Sequence, residues 1–103
     1  MNEARLIGYL GLARRAGAFA LGETALQALG KGKCHLLILA GDASHSTKAE
    51  VEHRAKTNNV QLLVFATKIT LGELFGKDHV AILAITNSQL ARQIIRGLQE
   101  DKS

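Results

Sequence analysis

The chain alternates between two kinds of apolar pattern, helical stripes and short continuous runs, and each change of pattern marks an element. Residues Glu3 to Ala16 carry Leu6, Ile7, Leu10 and Ala13 at helical spacing, with Arg5, Arg14 and Arg15 towards the other side. Gly17 stands as the residue that ends this helix, and the arginines of its last turn suit the negative end of the helix dipole. A short strand, Ala18 to Leu21, then turns at Gly22 into a second helix with Ala25, Leu26, Ala28 and Leu29 facing a core. Gly30-Lys31-Gly32-Lys33 ends it.

Cys34 to Ala40 is a nearly unbroken apolar run of strand length, which predicts a central strand covered on both faces. Gly41-Asp42-Ala43-Ser44 closes it as a loop. A helix is predicted from about Ser46, with Thr47 and Glu50 at capping-box spacing, Val51 and Ala55 pointing inward, and Asn58-Asn59 as its stop. Val60 to Phe65 reads as a further buried strand. Thr70 and Glu73, again at capping-box spacing, head a short helix with Leu71, Leu74 and Phe75. Gly76-Lys77-Asp78-His79 forms a turn, Val80 to Ile85 is another apolar strand, and Asn87 or Ser88 caps a last helix built on Leu90, Ala91, Ile94, Ile95 and Leu98. Strict alternation of helices and apolar strands predicts the α/β class: a three-layer α/β/α sandwich around a mixed four-stranded sheet.

Composition narrows this picture. At 103 residues, 47% of them apolar, the chain has length for one buried core and not for two, so residues 1–103 are expected to form a single domain. No apolar run approaches bilayer length, no signal-peptide pattern opens the chain, and Cys34 is its one cysteine, so a reducing, cytoplasmic setting without membrane contact is expected. The net charge of +4 tilts the partners towards polyanions. With Tyr9, Phe19, Phe65 and Phe75 as the only aromatic residues, a sheet that stacks RNA bases on exposed rings is not expected.

Enzymatic patterns fail on inspection. Gly72 to Asp78 imitates a phosphate-binding loop but is one residue short between its glycines, and Asp78 stands where a Mg²⁺-binding hydroxyl belongs. Asp42, Ser44, His45 and Ser46 crowd one loop without a nucleophile elbow, and cap and turn roles account for Asp42, Ser44 and Ser46. His35, His45, His53 and His79 share no metal-ligand spacing with Cys34 or one another. No metal, cofactor or small-molecule substrate is expected, and the chain reads as non-enzymatic.

The remaining candidate is the start of the second helix. Unpaired N–H groups and the positive dipole end at Gly22 and Glu23 form a seat for a phosphate or a polar base edge. Lys31 and Lys33, with Lys77 and His79 from the turn before the last strand, are expected to converge beside it and neutralise phosphates.

The order of these motifs resembles the ribosomal L-seven-Ae family of RNA-binding proteins, and most closely its small bacterial YlxQ-like branch. The resemblance rests on Ala13-Arg14-Arg15-Ala16-Gly17, Leu21-Gly22-Glu23-Thr24, Leu36 to Ser44, Thr67-Lys68 with Leu71-Gly72, and Gly76-Lys77. It implies the same sandwich fold and binding of structured, ribosomal RNA such as kink-turns. The implied contacts are the start of the second helix and the loop Gly76, Lys77, Asp78, His79 and Val80, set against bases extruded at the kink. Members read Gly-x-Asn-Glu with a lysine three residues on. Here Thr24, Ala25 and Ala28 stand at the Asn, Glu and Lys positions, or, with a one-residue deletion, Glu23, Thr24 and Gln27 take those roles. General RNA binding follows more directly from this sequence than kink-turn specificity. The alternative is a protein-interaction module that has kept the fold and lost the RNA grip, which would show an exposed apolar patch.

Overall fold

The computed structural model describes residues 1–100. Asn2 opens the first helix by accepting the Arg5 N–H on its side chain at 2.8 Å, and α1 runs Glu3–Ala16. Gly17, in the left-handed conformation with φ 66°, closes it by donating back to Ala13 and Arg14. The chain then alternates as the apolar pattern requires: β1 Phe19–Leu21, α2 Glu23–Gly30, β2 Leu36–Leu39, α3 His45–Thr57, β3 Leu62–Val64, α4 Lys68–Leu74, β4 Ile82–Ile85 and α5 Ser88–Glu100.

Two helices start earlier than their capping-box spacing suggests. Ser44 caps α3 by accepting from the Thr47 N–H, and Thr67 caps α4 by accepting from the Thr70 N–H. In both cases the hydroxyl closest to the strand exit captures an orphan N–H first, so the later Thr falls inside the first turn. Asn87 settles the choice at α5, its side-chain oxygen accepting from Leu90 at 2.9 Å.

The strands form one mixed sheet in the order β1-β4-β2-β3. β4 is antiparallel to both β1 and β2, with Phe19 and Leu36 each opposite Ile85, while β3 runs parallel to β2. All four residues of β2 and of β4 are buried, as expected for central strands covered on both faces. Side chains alternate across β2 with the pleat. Leu36, Ile38 and Ala40 pack with Leu6, Leu10, Leu71 and Ile94 from α1, α4 and α5, whereas Leu37 and Leu39 pack with Leu26, Leu29 and Val51 from α2 and α3. Two apolar cores thus flank one sheet, the three-layer α/β/α sandwich.

This topology gives the sheet two unlike ends. β1, β2 and β3 finish where β4 begins, so the turns into α2, α3 and α4 meet the α4–β4 loop at one end. At the other end lie the turns from α1, α2 and α3 into their strands, and the exit from β4 into α5. Among the described residues no helix is long and apolar enough to cross a membrane.

Candidate nucleic-acid interface

Gly22 is held between β4 and α2. Its N–H donates to the Ile82 carbonyl at 2.9 Å, and its own carbonyl accepts from Ala25 at 3.0 Å and Leu26 at 3.3 Å. Its backbone angles, φ 57° and ψ −129°, lie in a region that any residue with a Cβ strongly resists. That bend is what swings the chain from strand to helix within one residue. The Gly22 N–H is therefore engaged in the sheet and not available to a ligand, contrary to the sequence-based expectation. Among the described residues, the N–H groups of Glu23 and Thr24 are the unpaired donors at this helix start.

Burial divides α2 into two faces. Ala25, Leu26 and Leu29 are buried, and Ala28 packs against the same core. Glu23, Thr24 and Gln27 are exposed. Of the residues named by the two alignments, Glu23, Thr24 and Gln27 lie on the exposed face of α2, whereas Ala25 packs into the core.

Facing this helix start is the α4–β4 loop. Lys77, Asp78, His79, Val80 and Ala81 line a cavity of about 440 Å³ together with Leu21 and Gly22. Lys77, Asp78 and His79 are exposed, whereas Val80 is buried in the core and forms part of the cavity floor. Among the described residues, the N–H groups of Asp78 and His79 donate to no protein acceptor, which adds two donors to those of Glu23 and Thr24. The loop is fastened on both sides. The Lys77 N–H donates to Gly72 at 2.8 Å and the Val80 N–H to Lys68 at 2.9 Å. A Cβ on Gly72 would lie 2.7 Å from both the Lys77 oxygen and the His79 Cα, so only glycine lets the loop lie this close to α4.

Two further residues position this end, and the sequence patterns gave them other roles. Arg14 donates from Nη1 to the Leu74 carbonyl at 3.0 Å, satisfying the end of α4, and its guanidinium lies against Gly76. Asp42 accepts the Lys68 N–H at 2.8 Å, joining the β2–α3 turn to the start of α4. Neither has a local sequence signal, since each partner lies tens of residues away.

Lys31 and Lys33 are not at this site. α2 carries the chain roughly 12 Å along the sheet, and the next residues enter β2 at the far end, where the His35 N–H donates to Ile85 at 2.9 Å. Gly22 meets β4 at Ile82, Lys33 approaches it at Ile85, and the expected convergence of these lysines with Gly22 does not occur. Among the described residues no cluster of His, Cys, Asp or Glu is arranged to hold a metal ion. Cys34 is buried, its thiol donates to the Leu36 carbonyl at 3.4 Å, and burial pushes its pKa up to about 11. Such a thiol is a core residue rather than a nucleophile.

Residues 4–95 match the model described as the ribosomal protein L7Ae/L30e/S12e/Gadd45 family. This chain belongs to that family. It is a class of non-enzymatic RNA-binding domains. A protein of unknown function from Bacillus halodurans has a structure similar to this one, with a TM-score of 0.85 at 26% identity over 91% of this chain and 96% of that one. A 15.5kD RNA binding protein from Giardia lamblia superposes with a TM-score of 0.82 over 97% of this chain and 92% of its own, at 18% identity, and shares the fold.

Proposed function

We propose that this domain binds structured RNA of the kink-turn type at the end of the sheet where α2 begins. The observation that carries this reading is the shared cavity of Gly22 and the Lys77–Ala81 loop, which puts unpaired backbone donors of a helix start opposite those of a loop. N–H groups of Glu23 and Thr24 meet phosphate or base edges, Thr24 and Gln27 read polar edges, and Lys77 neutralises phosphate. The Asp78–His79 segment, held against α4 through Gly72, lies against bases displaced from the stack. The five motif blocks from Ala13 to Lys77 support placement in the small bacterial YlxQ-like branch, and with it a ribosome-associated role in the cytoplasm. The family's RNA-binding character supports the same partner.

The test is a titration of the protein with a kink-turn RNA and a plain duplex of equal length, each at two salt concentrations. Preferential binding of the kink-turn is expected, reduced by Thr24→Ala with Gln27→Ala. Equal and steeply salt-dependent binding of both would make this a general binder of RNA backbone. Absence of binding to either at low salt would overturn the RNA reading in favour of a protein-interaction module. The exposed large apolar side chains Leu12, Val64 and Ile69 sit on three different elements and do not of themselves favour that alternative.

A further inference from the structure

The two ends of the sheet differ in charge. Asp and Glu are absent from residues 4–22, 24–41, 53–72 and 79–99. The α1–β1, α2–β2 and α3–β3 turns and the β4–α5 connection, all at the end opposite Gly22, fall entirely within those stretches. At the Gly22 end, by contrast, three of the four connections or helix starts bring a carboxylate: Glu23, Asp42 and Asp78. Lys31 and Lys33, which the sequence placed beside Gly22, belong to a separate surface. Lys31 and Lys33 are exposed on the α2–β2 turn, and His35, also exposed, follows at the mouth of β2.

The surface continues across the sheet end onto α5. His35, Ser88, Ala91, Arg92 and Ile95 line one hollow of about 280 Å³, and Arg92 also lines a second of about 300 Å³ with Gln89, Gln93 and Arg96. Arg92 and Arg96 are exposed, one helical turn apart on the same face. The one carboxylate described on α5, Glu100, lies at its far end, 3.6 Å from Arg5. Lys31, Lys33, Arg92 and Arg96 supply positive charge, and His35, Ser88 and glutamine amides lie between them. Cations interspersed with neutral donors, with no carboxylate in the adjoining described connections, are complementary to a phosphodiester backbone, whose charges repeat at short intervals.

We infer that this face is a second RNA-backbone contact, engaged by another segment of the RNA held at the Gly22 end. The inference rests on the RNA-binding reading above and extends it from one contact to two. The two faces lie at opposite ends of a molecule whose longest extent is 31 Å, so one short helix does not reach both. The RNA that fits is one whose arm runs past the length of the protein.

The experiment compares a kink-turn RNA with short arms and the same RNA with one arm longer than the 31 Å molecule. Both are titrated against wild type, Lys31→Ala/Lys33→Ala/Arg92→Ala, and Lys77→Ala across a salt series, with circular dichroism confirming that the variants fold. The triple variant is expected to match wild type on the short RNA. On the long one it should lose the extra affinity of wild type and flatten the salt slope by about two to three, roughly one per phosphate contact removed. Lys77→Ala should weaken both RNAs. A triple variant indistinguishable from wild type on the long RNA overturns the second contact while leaving the first in place. Equal loss on both RNAs also overturns it, since the cations would then serve a single contact. Failure of wild type to bind either RNA removes the RNA reading itself, and an acidic protein surface becomes the partner to test for this face.

Discussion

Gly72 shows how much of the candidate interface depends on one missing atom. A Cβ there meets backbone at 2.7 Å, and backbone cannot step aside as a flexible side chain does. Gly72→Ala is expected to displace the 76–80 loop and cost about 1–3 kcal/mol, as overpacking in a closed site does. Urea denaturation reads the stability, and faster amide exchange at Lys77 and Val80 reads the loop. Gly22→Ala acts through strain rather than contact, because nothing lies near its missing Cβ while its φ of 57° is unfavourable to any side chain. A loss of about 1–3 kcal/mol is expected, again by urea denaturation. Cys34 makes a prediction in pH. Burial raises its thiol pKa to about 11 from 9.0, so in alkaline solution the unfolded chain gives up this proton before the folded one does. The stability contributed by the neutral thiol is complete below about pH 9 and declines as pH rises towards about 11. Cys34→Ala should remove that part of the alkaline decline, measured as the difference between the two proteins' urea midpoints at pH 8 and pH 10.5.

At the scale of elements, the turns at the Gly22 end are tied to one another and not only to their own helices. Asp42 joins the β2–α3 turn to α4, Val80 joins the last loop back to Lys68, and Arg14 joins α1 to the end of α4. Arg14→Ala is expected to leave the Leu74 carbonyl without its charged donor and to loosen the start of the loop. Amide exchange should rise at Gly76 and Lys77 while the strand amides of β2 and β4 stay protected, since those strands are buried on both faces. Uniform loss of protection would show instead that Arg14 supports the whole fold. The caps behave more locally. Thr67→Ala should cost about 1 kcal/mol, the usual worth of an N-cap hydroxyl, and act mainly on α4.

On the scale of the whole molecule, the net charge of +4 conceals an uneven distribution. One end of the sheet mixes Lys77 and His79 with Glu23 and Asp78, and the other gathers Lys31, Lys33 and Arg92 on described connections and a helix start that carry no carboxylate. In the proposed binding mode, shape and backbone donors serve the first end and charge serves the second. Salt should accordingly weaken binding of a long RNA more steeply than binding of a short one, because only the long one reaches the more cationic face.

Alternating apolar patterns were enough to determine the class of the fold, the order of the nine elements among the described residues and the central position of β2. They made Val60 to Phe65 a buried strand where β3 is a half-exposed edge, because an edge strand is covered on fewer sides than its apolar run suggests. Periodicity and continuous burial are local properties, readable from adjacent residues, and Gly22 is legible for the same reason. Strand pairing was not readable, and everything at the interface that depends on pairing was decided by tertiary structure alone. Antiparallel pairing of β4 with β1 and β2 engages the Gly22 N–H and sends Lys31 and Lys33 to the opposite end. Burial of Ala25 against the sheet selects Glu23, Thr24 and Gln27 as the outward face of α2. Arg14 and Asp42 became recognisable only once their partners, 60 and 26 residues away, were brought beside them. A residue's neighbours along the chain set its conformation, but which cations share a surface follows from how the strands are paired.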